Sequence, residues 1–168
     1  FVPTGVMANQ LSICLHTRSG DEVIVEVSSH IIRYEGGSAS AFSQVQLSCV
    51  QGDRGLLALK PVQAALRPKD IHNPSTTLLC LEQTHNAGGG TVYPLETITS
   101  LTSWAKEHGL ACHLDGARLF NAVVATGVSA AEYAQDFDTV SFCLSKGLGA
   151  PVGSLIVSTQ DNIITLRR

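Results

Sequence analysis

The segment Thr139 to Ser154, TVSFCLSKGLGAPVGS, carries the plainest chemistry in the chain. Strand-forming residues lead into one lysine, Lys146, and Gly147, Gly149, Ala150, Pro151 and Gly153 follow it. A lysine leaving a buried strand among residues with almost no side chain lets a bulky group approach its amine. Burial disfavours the ammonium form and frees the amine as a nucleophile toward carbonyls. Taken alone, the pattern also describes a surface lysine at a strand-to-loop turn.

The elements around this lysine alternate. Apolar and β-branched runs predict strands at Glu22–Val27, Val45–Val50, Thr76–Leu81, Leu110–Leu114, Thr139–Leu144 and Gly153–Ser158. Helical spacing predicts helices at Met7–Thr17, His30–Tyr34, Lys60–Leu66, Pro94–His108, Gly116–Ala125 and Ala130–Ala134, with another starting at Asp161. Thr76 to Leu81, TTLLCL, is nearly all apolar, as in a strand covered on both faces. The fold class is therefore α/β: a three-layer α/β/α domain with a mostly parallel sheet. The connection into Gly153–Ser158 is too short for a parallel crossover, so that strand is expected to be antiparallel.

Composition narrows the function. The 168 residues are 44% hydrophobic and 15% charged, with 15 glycines and a formal charge of -3. Nothing there favours nucleic acid or an anionic membrane surface. No apolar run approaches the ~20 residues of a membrane span, and residues 1–10 lack the pattern of a leader peptide. The five cysteines are odd in number and form no CxxC pair, so they read as reduced core residues of a cytoplasmic protein. The chain opens on Phe1 and closes inside a helical pattern at Arg168. Both ends read as cut, which makes residues 1–168 one catalytic domain of a larger enzyme.

In parallel α/β sheets, ligands bind beyond the carboxyl ends of the strands. There the sequence places Thr4–Met7, Ser28–His30, Glu82–Asn86, Asp115–Arg118 and Ser145–Lys146. These groups suit a lysine-bound aldehyde cofactor. Pyridoxal phosphate bonds to a lysine and acts as an electron sink. Asp115 can hold a proton on its ring nitrogen. Gly5, Val6 and Met7, at a helix start, offer N–H groups to its phosphate. His30 or His85 can stack on its ring. Each has a plainer reading: Asp115 as a helix cap, either histidine as structural, Arg118 paired with a surface acid. His113 reads as structural, and His16, His72 and His108 as surface residues.

The segments HLDGARLFNA (113–122), SFCLSKGLGAPVGS (141–154), LEQTHNAGGGTVYPLE (81–96), SSHIIRYEGG (28–37) and FVPTGVMANQ (1–10) resemble low-specificity L-threonine aldolases. These are pyridoxal-phosphate enzymes of the aspartate-aminotransferase fold, grouped with β-eliminating lyases. The resemblance covers essentially the whole chain, in order. It implies that Lys146 is the Schiff-base lysine and Asp115 the pyridine-nitrogen carboxylate. It implies that Arg118 lies near the cofactor's phenolic oxygen and the substrate carboxylate, and that His30 stacks on the ring. His85 would lie near the substrate hydroxyl and help take its proton. Gly5 and Met7 would give backbone contacts to phosphate, and Val6 stands where members usually have threonine. The implied reaction cleaves L-threonine or L-allo-threonine to glycine and acetaldehyde, with no metal. The resemblance also implies a homotetramer built as a dimer of dimers, a further N-terminal segment and a C-terminal small domain, neither within these residues. The alternatives are another pyridoxal-phosphate lyase or aminotransferase, or a non-catalytic relative that keeps the fold.

Overall fold

A computed structural model describes all residues, 1–168. Strands β1 (Glu22–Glu26), β2 (Gln46–Val50), β3 (Thr76–Glu82), β4 (Ala111–Asp115), β5 (Thr139–Cys143) and β6 (Ser154–Ser158) form one sheet in the order β2-β1-β3-β4-β5-β6. Every neighbouring pair is parallel except β5 and β6, where Cys143 faces Ser154 in antiparallel register. The sheet class and its one antiparallel strand agree with the sequence. The helices are α1 (Gly5–His16), α2 (His30–Arg33), α3 (Ser38–Phe42), α4 (Leu59–Ala65), α5 (Leu95–Glu107), α6 (Leu119–Thr126), α7 (Ala130–Ala134) and α8 (Gln160–Leu166).

The alternation of side chains along each strand divides the interior into two layers. Val23, Val25, Leu78 and Cys80 pack with Ile13 of α1, Ile31 of α2 and Ala39 of α3. Ile24, Leu79, Leu81, Cys112 and Leu114 pack on the other face with Val62 of α4, Ile98 and Leu101 of α5, and Ala122 of α6. Ile98, Leu101 and Ala105 are buried along one stripe of α5, at three- and four-residue spacing.

The chain leaves β1 outward to β2, then returns past β1 to β3 and continues the other way. Beyond the strand ends, the loops that follow β1 and β3 therefore diverge and open a crevice. They carry Ser28–His30 and Glu82–Asn86.

Several local expectations change. Helix α3 is not among the expected elements: its SASAF sequence holds one large apolar residue, Phe42, and it has no side-chain cap. Gly116–Arg118 form a turn before α6, because Gly116 N–H is drawn to Ser141 O at 2.8 Å. Pro94 is the N-cap of α5, not its first helical residue. Cys80, Cys112 and Cys143 are buried but Cys14 and Cys49 are exposed, so only three of the five are core residues. His16 is half-buried, with burial lowering its pKa, instead of lying on the surface. No helix is long and apolar enough to cross a membrane.

Candidate active site

Register brings the first two expected residues together. Asp115, the last residue of β4, lies beside Ser141 of β5, and β5 runs on through Cys143 to Lys146. Asp115 is 3% exposed. Lys146 is half-buried in the turn after β5 and forms no ion pair. A Cβ on Gly147 would stand 2.6 Å from Asn121 Oδ1, so this turn is packed closely beside the lysine.

Helix α1 lies over the same end of the sheet. Its side chain Asn9 fixes the whole cluster by hydrogen-bond direction. Asn9 Nδ2 donates to Asp115 Oδ2 at 2.8 Å and to Glu35 Oε1 at 2.8 Å. Carboxylates accept, so that end of the amide must be nitrogen. Asn9 Oδ1 then accepts from Ser141 Oγ at 3.0 Å and from His113 Nε2 at 3.1 Å. His113 is thus protonated on Nε2, and its Nδ1 accepts from Thr139 Oγ1 at 2.9 Å. Complete burial pushes the His113 pKa down to about 4. His113 is structural, as expected, yet the residue it holds is the one that holds Asp115. Asp115 Oδ1 also accepts from Ala117 N–H at 3.1 Å, so the carboxylate does cap the turn into α6.

His30 stands at the edge of this cluster, its side chain 25% exposed. Its Nδ1 is 2.9 Å from Glu35 Oε1. That hydrogen bond raises its pKa against the opposing effect of burial; Asp115 adds to the rise and Lys146 opposes it. Both of those charges therefore act on the His30 ring.

His85 lies elsewhere. Its ring is 0% exposed, under the backbone of Gly55. Gly88 N–H donates to His85 Nδ1 at 3.1 Å, so the neutral ring carries its proton on Nε2. Nε2 is 3.1 Å from Glu26 Oε2 and 3.8 Å from Glu82 Oε2 but is aligned for a hydrogen bond with neither. The expected proton acceptor thus presents an N–H, because a glycine of its own loop occupies the other nitrogen. Glu82 joins the two histidine loops: it accepts from His30 N–H at 2.8 Å and from Asn86 N–H at 3.0 Å. Burial, and then the charge of Asp115, push the Glu82 carboxyl up. Burial would also raise Glu26, but hydrogen bonds from Ser28 and Gly52 outweigh it and leave that carboxyl lowered.

The start of α1 offers an anion cradle. Thr4 Oγ1 accepts from Met7 N–H at 3.1 Å, so Met7 is already engaged. Gly5 and Val6 N–H groups have no acceptor and point from the positive end of the helix. They precede Asn9 by about one turn, or roughly 5 Å. Arg118, at the N-cap of α6, is half-buried and unpaired, which removes the surface-acid reading.

The likeness to known proteins runs the length of the chain. The family model of beta-eliminating lyases matches residues 1–168. The chain belongs to the beta-eliminating lyase family. Within that family it is 45% identical over 171 residues to a probable low-specificity L-threonine aldolase 2 of Arabidopsis thaliana, covering 99% of this chain and 48% of that one. It is 42% identical to the low specificity L-threonine aldolase of Escherichia coli K12, covering 97% and 48%. A threonine aldolase structure from Leishmania major superposes with a TM-score of 0.87 over 96% of this chain and 47% of that one, at 24% identity, and so attests the fold. The chain spans about half the length of the curated relatives it matches.

Sequence reasoning places Lys146, Asp115, His30, Arg118, Gly5 and Val6 along this edge; the structure brings Asp115 and His30 to one cluster, and the charge of Lys146 acts on His30. It passes over Asn9, Glu35 and Glu26. Asn9 is legible only as a helix residue, and Glu35 lies in the short YEGG turn where an acid reads as solvent-exposed.

Proposed function

We propose that residues 1–168 are the cofactor-binding domain of a pyridoxal-phosphate-dependent aldolase that cleaves L-threonine and L-allo-threonine to glycine and acetaldehyde. The observation that carries this reading is the buried Asp115 carboxylate held beside the strand that leads into the Lys146 turn. The donor set fits the cofactor: an amine for its aldehyde, a buried acid for its ring nitrogen, an imidazole for its ring face, and two free N–H groups for its phosphate. When bound, the cofactor supplies an electron sink for the bond that breaks at the substrate α-carbon.

The residues divide the remaining work. Asp115, oriented by Asn9 and Ala117, holds a proton at the ring nitrogen. Gly5 and Val6 bind the phosphate at the head of α1. Arg118, the unpaired guanidinium, binds the substrate carboxylate. His85, buried with Nε2–H facing Glu26 and Glu82, acts through those carboxylates, which are the acceptors for the proton of the β-hydroxyl. His30 covers the ring and offers its second nitrogen at the open edge.

The five unpaired cysteines support a reducing, cytoplasmic setting. Val124, 87% exposed, and Leu148, 45% exposed, flank the lysine turn and support assembly of copies around the site. The homotetramer belongs to the same proposal.

The test is turnover by the protein carrying these residues, with pyridoxal phosphate added. Acetaldehyde and glycine from L-threonine are expected. Pyruvate and ammonia from L-serine, with no acetaldehyde from threonine, would assign elimination instead.

A further inference from the structure

Glu35 lies between α2 and α3, and the division of work among the site residues gives it no role. Its side chain is 0% exposed. It accepts three hydrogen bonds: from Gln10 Nε2 at 2.6 Å, from Asn9 Nδ2 at 2.8 Å, and from His30 Nδ1 at 2.9 Å. One ring nitrogen of His30 and one carboxylate oxygen each of Glu35 and Asp115 lie within 4.8 Å of one another. Two buried acids this close need donors or cations between them. Asn9 supplies one donor to each, and His30 lies against Glu35.

We propose that Glu35 is a positioning residue for the cleavage: it fixes His30 through Nδ1, ties it through the shared Asn9 amide to Asp115, and leaves Nε2 as the one ring nitrogen that exchanges a proton at the open edge. The role in cleavage rests on the pyridoxal-phosphate reading; the hydrogen bonds do not. The charged groups that act on the ring are Glu35, Asp115 and Lys146, and its aromatic neighbour is Tyr34, at a centroid distance of 5.5 Å. The two acids favour the imidazolium and the lysine opposes it, with the raised pKa of His30 as the net result.

Glu35→Gln is a mild probe. Gln10 Oε1 is buried and has no partner. Turning the Gln10 amide over would let that oxygen receive the N–H of the substituted side chain, whose own oxygen would still accept from Asn9 and His30. The shape of the cluster is kept and one charge is lost.

The experiment is an NMR titration of the histidine rings in the cofactor-free protein, with the His30 signal assigned by its loss in His30→Asn. In the wild type His30 is expected to titrate above the ordinary 6.5. In Glu35→Gln it is expected to fall by about one pH unit, and the acid limb of kcat/KM for the loaded enzyme is expected to move the same way. A wild-type His30 that titrates at or below 6.5 overturns the proposal, whether or not the variant folds. So does a folded variant in which His30 does not move. A protein that shows the Glu35-dependent shift but cleaves no threonine would fail the activity reading and leave this one standing.

Discussion

Asn9 Nδ2 donates to Asp115 Oδ2 across 2.8 Å, joining the first helix of the chain to the end of its fourth strand. The acid proposed to face the cofactor is thus held by a neutral amide whose own oxygen is held by His113 and Ser141. Removing that amide leaves two buried carboxylates each short of a donor. Asn9→Ala is expected to cost about 1–3 kcal/mol of folding stability and to weaken pyridoxal phosphate binding. Chemical denaturation and cofactor titration check the two effects separately.

His113 sets an acid limit. Its folded pKa, about 4, is below the ordinary 6.5, so the unfolded state binds the proton first. Stability is present above pH 6.5, is lost as pH falls toward 4, and the full loss is about 3 kcal/mol. Unfolding free energy measured across that window should fall in the wild type. In His113→Gln the slope should flatten there.

Gly55 has a φ of +86°, and a Cβ placed on it would stand 2.2 Å from the His85 ring. Both the backbone and the contact oppose a larger residue. Gly55→Ala is expected to destabilise the fold by roughly 1–3 kcal/mol and to displace His85. Thermal unfolding temperature and threonine turnover should both fall.

Val6 contributes an N–H without a hydroxyl. Val6→Thr adds an O–H at the head of α1, where a phosphate is expected. A gain of about 1 kcal/mol, or roughly fivefold in cofactor affinity, follows for one added hydrogen bond. Equilibrium binding of pyridoxal phosphate measures it.

The succession of strands along the chain and their sense were legible from apolar runs with intervening helical spacing; their order across the sheet, with β2 outside β1, was not. The positions of Asp115 at the end of β4, and of Arg118 and Lys146 just past β4 and β5, were legible because the sheet itself fixes the carboxyl ends of its strands. Asn9 and Glu35 were not: their roles come from α1 crossing over β4 and β5, a packing relation that no local spacing records. His85 was half legible. Its position after β3 could be read, but the proton on its Nε2 follows from Gly88 folding back onto Nδ1, a contact within one loop.

The account depends on one amine at the end of β5. The direct measurement is borohydride trapping of pyridoxal phosphate on the protein, followed by mass mapping of the labelled peptide. The account predicts a single stable label on Lys146 Nζ, with the visible absorbance of the bound cofactor lost in Lys146→Ala. A label on another lysine, or the full absorbance retained in Lys146→Ala, would contradict it.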